Sequence, residues 1–145
     1  MGTIFRWTAN SLRMAKHSIN PSQLKGRNSG NHWEKTAESF LLDQGLKLLH
    51  RNFSSRLGEI DLIMEDDKTI VFVEVKYRQS NQHGSGADAV TFHKQNRISL
   101  TAGWYLAKNP HRSEQFCRFD VLSIDSGKKD EGICWIKNAF YSTLG

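Results

Sequence analysis

Two short apolar runs with regular alternation occupy the middle of the chain. Gly58-Glu59-Ile60-Asp61-Leu62-Ile63-Met64 is followed, after the polar turn Glu65-Asp66-Asp67-Lys68, by Val71-Phe72-Val73-Glu74-Val75-Lys76-Tyr77-Arg78. Both are rich in β-branched and apolar residues and read as the two strands of a hairpin. Period-two alternation puts Val71, Val73 and Val75 on one face of the second strand, with Phe72, Glu74 and Lys76 on the other. In the first strand it puts Ile60, Leu62 and Met64 on one face and Glu59, Asp61 and Ile63 on the opposite one. A stretch as apolar as Thr69 to Arg78 does not suit an unprotected edge, so it is expected inside the sheet or at an interface.

The flanking pattern adds two helices and three strands. A helix is expected from near Ser29 to Asn31 up to Gly45, a suitable glycine for the position after a helix end. Trp33, Ala37, Phe40, Leu41 and Gln44 outline its packed side, and Glu34 lies at the edge of that stripe. There an acid can point over the sheet, or it is an ordinary first-turn glutamate favoured by the helix dipole. Leu46 to Asn52 reads as the strand before the hairpin. A second helix runs from about Asp88 or Thr91 to Lys108 and stops before Asn109-Pro110. Ile98, Ala102, Tyr105 and Leu106 form its core side. Phe116 to Ile124 and Ile133 to Asn138 complete the strands, and Arg118 and Asp120 share a face where they are expected to pair. The order αβββαββ predicts an α/β fold, a mixed sheet with helices packed on it, in one domain over residues 29–145.

At 145 residues, 38% apolar with four Trp and eight Phe, the chain can bury a core without disulfides or a structural metal. Its two cysteines, Cys117 and Cys134, lack the paired spacing of a zinc site and read as buried free thiols. No apolar run approaches the length of a membrane span. The net charge of +5 equals the five basic residues of 1–28, Arg6, Arg13, Lys16, Lys25 and Arg27, where no acid occurs. The folded body is therefore formally neutral, which argues against a broad nucleic-acid-binding surface from composition alone. The segment 1–28 reads as a basic, disordered arm able to grip phosphates, or as residues upstream of a true start at Met14.

The hairpin carries the candidate chemistry. If its strands pair, Asp61 approaches Glu74 on the exposed face, with Lys76 roughly 7 Å further along the strand. Two carboxylates held close repel unless a proton or cation lies between them. Mg²⁺ or Mn²⁺ is held by one or two carboxylates together with water and phosphate oxygens, and the lysine can stabilise developing charge. A solvated polar face is the simpler reading of any one of these residues, yet charges in so apolar a strand need a reason. Lys94 and Arg97 share one edge of the second helix, and with Arg78 they suit phosphate contacts. A solvated surface charge is the alternative for each. Gly84-x-Gly86-x-x-Ala89 echoes a dinucleotide fingerprint but lacks the tight turn off a strand and the acid about twenty residues on, so it is rejected. The polar stretch Gln79 to Gly86 reads as a loop over bound nucleic acid, or plain loop.

Gly58-Glu59-Ile60-Asp61-Leu62-Ile63 followed by Phe72-Val73-Glu74-Val75-Lys76 resembles the (P)D…(D/E)-x-K nuclease signature in its Holliday-junction-resolvase-like form. Together with Glu34-Lys35-Thr36-Ala37, Lys94-Gln95-Asn96-Arg97 and Cys117-Arg118-Phe119-Asp120-Val121, the chain from about 27 to 139 resembles the YraN family, small bacterial proteins described as endonuclease-like. One departure is that Ile60 stands where a proline usually precedes the aspartate. The resemblance implies a restriction-endonuclease-like fold and metal-dependent hydrolysis of phosphodiester bonds. Asp61 and Glu74 would hold Mg²⁺ or Mn²⁺, Lys76 would assist the attacking water or stabilise the transition state, and Glu34 would complete the site. It also implies a DNA partner, branched by analogy with resolvases, a homodimer for cutting two strands, and a cytoplasmic location. The alternative is a non-catalytic nucleic-acid-binding or scaffolding protein that keeps the fold. A purely structural hairpin is a third reading and predicts no metal affinity.

Overall fold

The first helix, α1 (Gly30–Asp43), ends as its sequence directs. Leu46 N–H donates to the Leu41 carbonyl at 3.1 Å and Gly45 N–H to that of Leu42 at 3.0 Å, the paired closure that needs a left-handed residue after the helix. Gly45 supplies it with φ 95°, and Leu46 folds back beside Leu41 in the core. Residues 30–78, 90–125 and 132–144 are described by this computed structural model. The basic arm over 1–28 and the polar loop over 79–86 lie outside the described residues.

From α1 the chain passes through β1 (Lys47–Ser55), β2 (Gly58–Asp66) and β3 (Thr69–Arg78), then α2 (Phe92–Lys108) and a 3₁₀ turn (Pro110–Arg112). It ends with β4 (Cys117–Asp125) and β5 (Ile133–Phe140). The five strands lie in sequence order in one sheet. β1, β2 and β3 are antiparallel, β3 and β4 parallel, and β4 and β5 antiparallel. The parallel step requires a crossover, which α2 provides. β3 is thus central, as its apolar pattern demanded. This is the α/β fold of order αβββαββ, consistent with the resolvase-like architecture.

The helices take opposite faces. On one, α2 sets Ile98, Ala102, Tyr105 and Leu106 against Phe53, Ile60, Ile63, Phe72 and Phe119. On the other, α1 sets Ala37 and Leu41 against Leu62, Met64, Val71, Val73 and Leu122. Gln44, expected on the packed side of α1, is exposed. The face assignment in β2 also needs correction. Leu62 and Met64 face α1, whereas Ile60 lies in the α2 core beside Ile63. Alternation holds from Leu62 onward and breaks at Asp61. The partner strand breaks at the same place: Arg51 reaches Glu38 of α1, while Phe53 joins the α2 core. Asn52, between them, has φ 50°, and the register sets it opposite Asp61. Both strands of this hairpin therefore turn over at the Asn52–Asp61 step.

Beyond the step, the hairpin tip is fastened to α2. Arg97 Nε donates to the Leu57 carbonyl at 2.9 Å, and Ser55 Oγ meets Thr101 Oγ1 at 3.3 Å. A Cβ on Gly58 would stand 3.1 Å from Thr101 Oγ1, so only glycine allows this approach without displacement.

A second irregularity is held by a carboxylate. Between the pairs Phe119↔Phe140 and Val121↔Ile136, Asp120 alone faces Lys137, Asn138 and Ala139. Fully buried, Asp120 accepts from Arg118 Nε, Trp135 Nε1 and the Asn138 N–H at 3.0, 2.9 and 2.9 Å. The expected Arg118–Asp120 pair is present, and Arg118 also reaches Asp66 at 2.9 Å.

Asn tolerates the left-handed region far better than a β-branched residue. Asn52→Val is expected to destabilise the protein by about 1–2 kcal/mol in urea unfolding, and Asn52→Gly to leave it nearly unchanged. Since Asn52 is exposed, lost packing does not account for the difference.

Candidate functional site

The turning-over of the β1–β2 hairpin opens a gap in the sheet. The ladder between β2 and β3 runs from Asp66↔Thr69 to Leu62↔Val73 and goes no further. One residue past its end the Asp61 side chain takes over the bonding: Val75 N–H donates to Asp61 Oδ2 at 2.8 Å. A carboxylate thus satisfies a strand amide that the departing β2 backbone no longer reaches. The fold positions Asp61 by a hydrogen bond as well as by packing.

Three further acids converge there. Glu74, beside Val75 on β3, points to the α2 side with Phe72, and Lys94 of α2 forms an ion pair with it. Lys94 is held in the first turn, where its N–H donates to the Thr91 cap at 3.2 Å. Glu34 comes from α1 and Glu59 from β2, two residues before Asp61. One carboxylate oxygen from each of Glu34, Glu59 and Asp61 lies within 4.8 Å of the others. Ser54 Oγ donates to Glu59 Oε2 at 3.4 Å.

Sequence reasoning placed Asp61 and Glu74 on an exposed face, and that is corrected. They retain only 7% and 6% of their surface, with Glu34 of α1 reaching Asp61 and Lys94 of α2 reaching Glu74. Glu59 was not counted as a site residue. Its signal was its shared parity with Asp61, which puts the two carboxylates side by side on a strand. Glu34 is the fifth residue of α1, whose first turn holds no acid, so the helix dipole does not explain it.

Of the basic residues, Lys76 and Lys94 adjoin the carboxylates. Lys76, half-buried, follows Glu74 by two on the same side of β3. Arg97 is exposed, with its Nε given to the β1–β2 turn, and its demonstrated role is to clamp that hairpin. Arg78 is half-buried at the end of β3, in register with Asp125 of β4. Neither cysteine joins this group. Burial pushes the Cys117 thiol up to about 12, leaving it inert, and Cys134 is exposed, against the expectation of two buried thiols.

The electrostatics follow from burial. Loss of water raises the Asp61 pKa well above the usual aspartate range, the charges of Glu74 and Glu34 raise it further, and the Val75 N–H and Lys94 oppose them. Burial lowers the Lys76 pKa, against the pull of Glu74 and with help from Lys94 and Arg78. Both charged forms are disfavoured where they stand, and both would gain from an opposite charge brought in. The oxygens of Glu34, Glu59 and Asp61, which lie within 4.8 Å of one another, are of the hard donor type that divalent ions such as Mg²⁺ or Mn²⁺ take, and Glu74 stands outside that group of three.

A raised folded-state pKa means that the folded protein holds the Asp61 proton more tightly than the unfolded chain does. Ionisation of Asp61 costs the fold nothing below about pH 4, costs more as pH climbs through the raised value, and levels off above it. Asp61→Asn, which keeps an oxygen acceptor for Val75, is therefore expected to be more stable than the natural protein at neutral pH. A rise in Tm of roughly 2–4 °C would correspond to about 1 kcal/mol for a chain of this size, and thermal unfolding should show the gain shrinking towards pH 4. An equal Tm difference at every pH would contradict this.

Among the described residues no helix is long and apolar enough to cross a membrane. The model of a family described as "Uncharacterised protein family UPF0102" matches residues 33–124, a span that holds every carboxylate of the site. A UPF0102 protein of Nitrosomonas europaea is 47% identical over 113 residues, covering 78% of this chain and 93% of the relative. One from Alcanivorax borkumensis is 42% identical over 117 residues, covering 80% and 94%. One from Vibrio cholerae is 43% identical over 117 residues, with the same coverage. With its motifs, its fold and these relatives in agreement, the chain belongs to the UPF0102 family, the YraN family.

Proposed function

We propose that this protein is a divalent-metal-dependent endonuclease that hydrolyses phosphodiester bonds in DNA. The observation that carries the reading is the use of a sheet break to gather carboxylates, of which Asp61 and Glu74 are buried and Glu34 and Glu59 half-buried. Asp61 is fixed on the Val75 amide, with Glu74, Glu34 and Glu59 around it and Lys76 alongside. A merely solvated hairpin face would leave these groups in water, and a scaffold has no need to gather like charges where they cost stability.

Asp61 and Glu74, with Glu34 and Glu59 completing the set, would hold Mg²⁺ or Mn²⁺. When bound, the ion would neutralise the phosphate charge and favour attack by water. Within this chain, Asp61 is pre-aimed by Val75 N–H, so its orientation costs little when substrate arrives. Lys76, its pKa lowered by burial, is suited to take a proton from the attacking water or to place its charge against the developing phosphorane oxygens. Lys94 shares Glu74 from the α2 side and is placed to contact the phosphate as Glu74 turns to the ion. Arg97 keeps the β1–β2 tip, and with it Glu59, against α2. Arg78 stands at the same end of β3 for a flanking phosphate. Branched or otherwise distorted DNA is the proposed substrate class, and a homodimer would supply two such sites for two strands.

Cleavage of labelled linear, flapped and four-way DNA with Mg²⁺ or Mn²⁺ tests the reading. The natural protein should cut at least one of them. Asp61→Asn, Glu74→Gln and Lys76→Met should each slow cutting by roughly a hundredfold or more while remaining folded. Glu59→Gln should impair it chiefly at low metal concentration. Binding of DNA without cutting by the natural protein, in either metal, would favour a non-catalytic nucleic-acid-binding role.

A further inference from the structure

Along the α1-facing side of β3, burial tapers towards the site. Val71 and Val73 are buried and Val75 half-buried, while Tyr77, the bulkiest of the four, keeps 41% of its surface. Packing of α1 does not call for an aromatic ring at the position with least cover. The Tyr77 ring lies face to face with Trp33 of α1, centroids 4.2 Å apart and planes 13° from parallel. Trp33 in turn meets His32 edge-on, at 4.8 Å and 73°. Of the two stacked rings, Trp33 is half-buried and Tyr77 exposed. Trp33 immediately precedes Glu34, and Tyr77 immediately follows Lys76. The stack thus adjoins the carboxylate group through α1, where Glu34 follows Trp33.

We propose that the Trp33–Tyr77 stack is a platform for an unpaired nucleobase, belonging to the strand whose phosphate enters the carboxylate site. This rests on the nuclease reading above and names its substrate class: DNA with a single-stranded portion at the point of cutting, such as a flap, an overhang or an opened junction. Two parallel aromatic rings ending in a partly exposed face extend the base stack of a strand, and such stacking tolerates any base. In a continuous duplex each base is covered by its neighbours and has no face to offer.

The test is anisotropy titration of the full-length protein in EDTA, so that nothing is cut, using a labelled oligothymidylate and a blunt hairpin duplex. The natural protein should bind the single strand more tightly than the duplex. Tyr77→Leu keeps apolar cover for Trp33 but removes the π face, and it should weaken single-strand binding by about 5- to 100-fold with little change for the duplex. Tyr77→Phe keeps the ring and should bind as the natural protein does. Tm measured on all three separates loss of the platform from loss of α1 docking. A Tyr77→Leu variant of unchanged Tm that binds the single strand normally would overturn the platform and leave the nuclease reading standing. Absence of single-strand binding by the natural protein would overturn the platform, while the cleavage assay with Mg²⁺ or Mn²⁺ decides the nuclease reading separately.

Discussion

A single hydrogen bond, from the Val75 amide to the Asp61 carboxylate, marks where this sheet stops being regular and starts to be a site. A strand amide buried without a partner is costly, and the β2 backbone turns away just before it would serve Val75. Asp61 fills that role with a side chain. The same bond fixes the carboxylate at the floor of the gap, where Glu74 follows on β3, Glu59 on β2 and Glu34 from α1. Disposition of the site and completion of the backbone hydrogen bonding are one feature.

That arrangement sets stability against function. Asp61 is buried among like charges, and among the described residues the Val75 amide and the Lys94 ammonium relieve it. The central strand is covered by α2 on one side and α1 on the other, and the far irregularity at Asp120 has every oxygen bonded to Arg118, Trp135 or Asn138. Two carboxylates thus mend breaks in one sheet with opposite outcomes. Asp120 is compensated by a buried arginine and reads as structural. Among the described residues no arginine pairs with Asp61, and the cation proposed above would supply that compensation.

Much of this was legible in the chain. The apolar run of β3 announced a central strand, Gly45 marked the end of α1, and Asp61, Glu74, Lys76 and Glu34 were picked out by position and resemblance. What could not be read was the reversal of facing at Asn52 and Asp61. Strict alternation puts Ile60 with Leu62, and only a left-handed residue in a neighbouring strand undoes it. Asn52 was the hint, since asparagine is among the few residues at ease there. Missing it misassigned Ile60 to the Leu62 face, while Asp61 and Glu74 were expected exposed and are buried. Lys94 was read as a surface charge for phosphate. Its pairing with Glu74 depends on how closely α2 crosses the sheet, which sequence spacing does not reveal.

The central claim is that a cation belongs among these carboxylates, and calorimetric titration with Mn²⁺ at neutral pH tests it most directly. The account predicts saturable binding to the natural protein, and its loss in the Asp61→Asn, Glu74→Gln double variant, with both proteins folded. Heat identical to buffer dilution up to millimolar Mn²⁺, with DNA present, would contradict it, as would equal binding by the double variant.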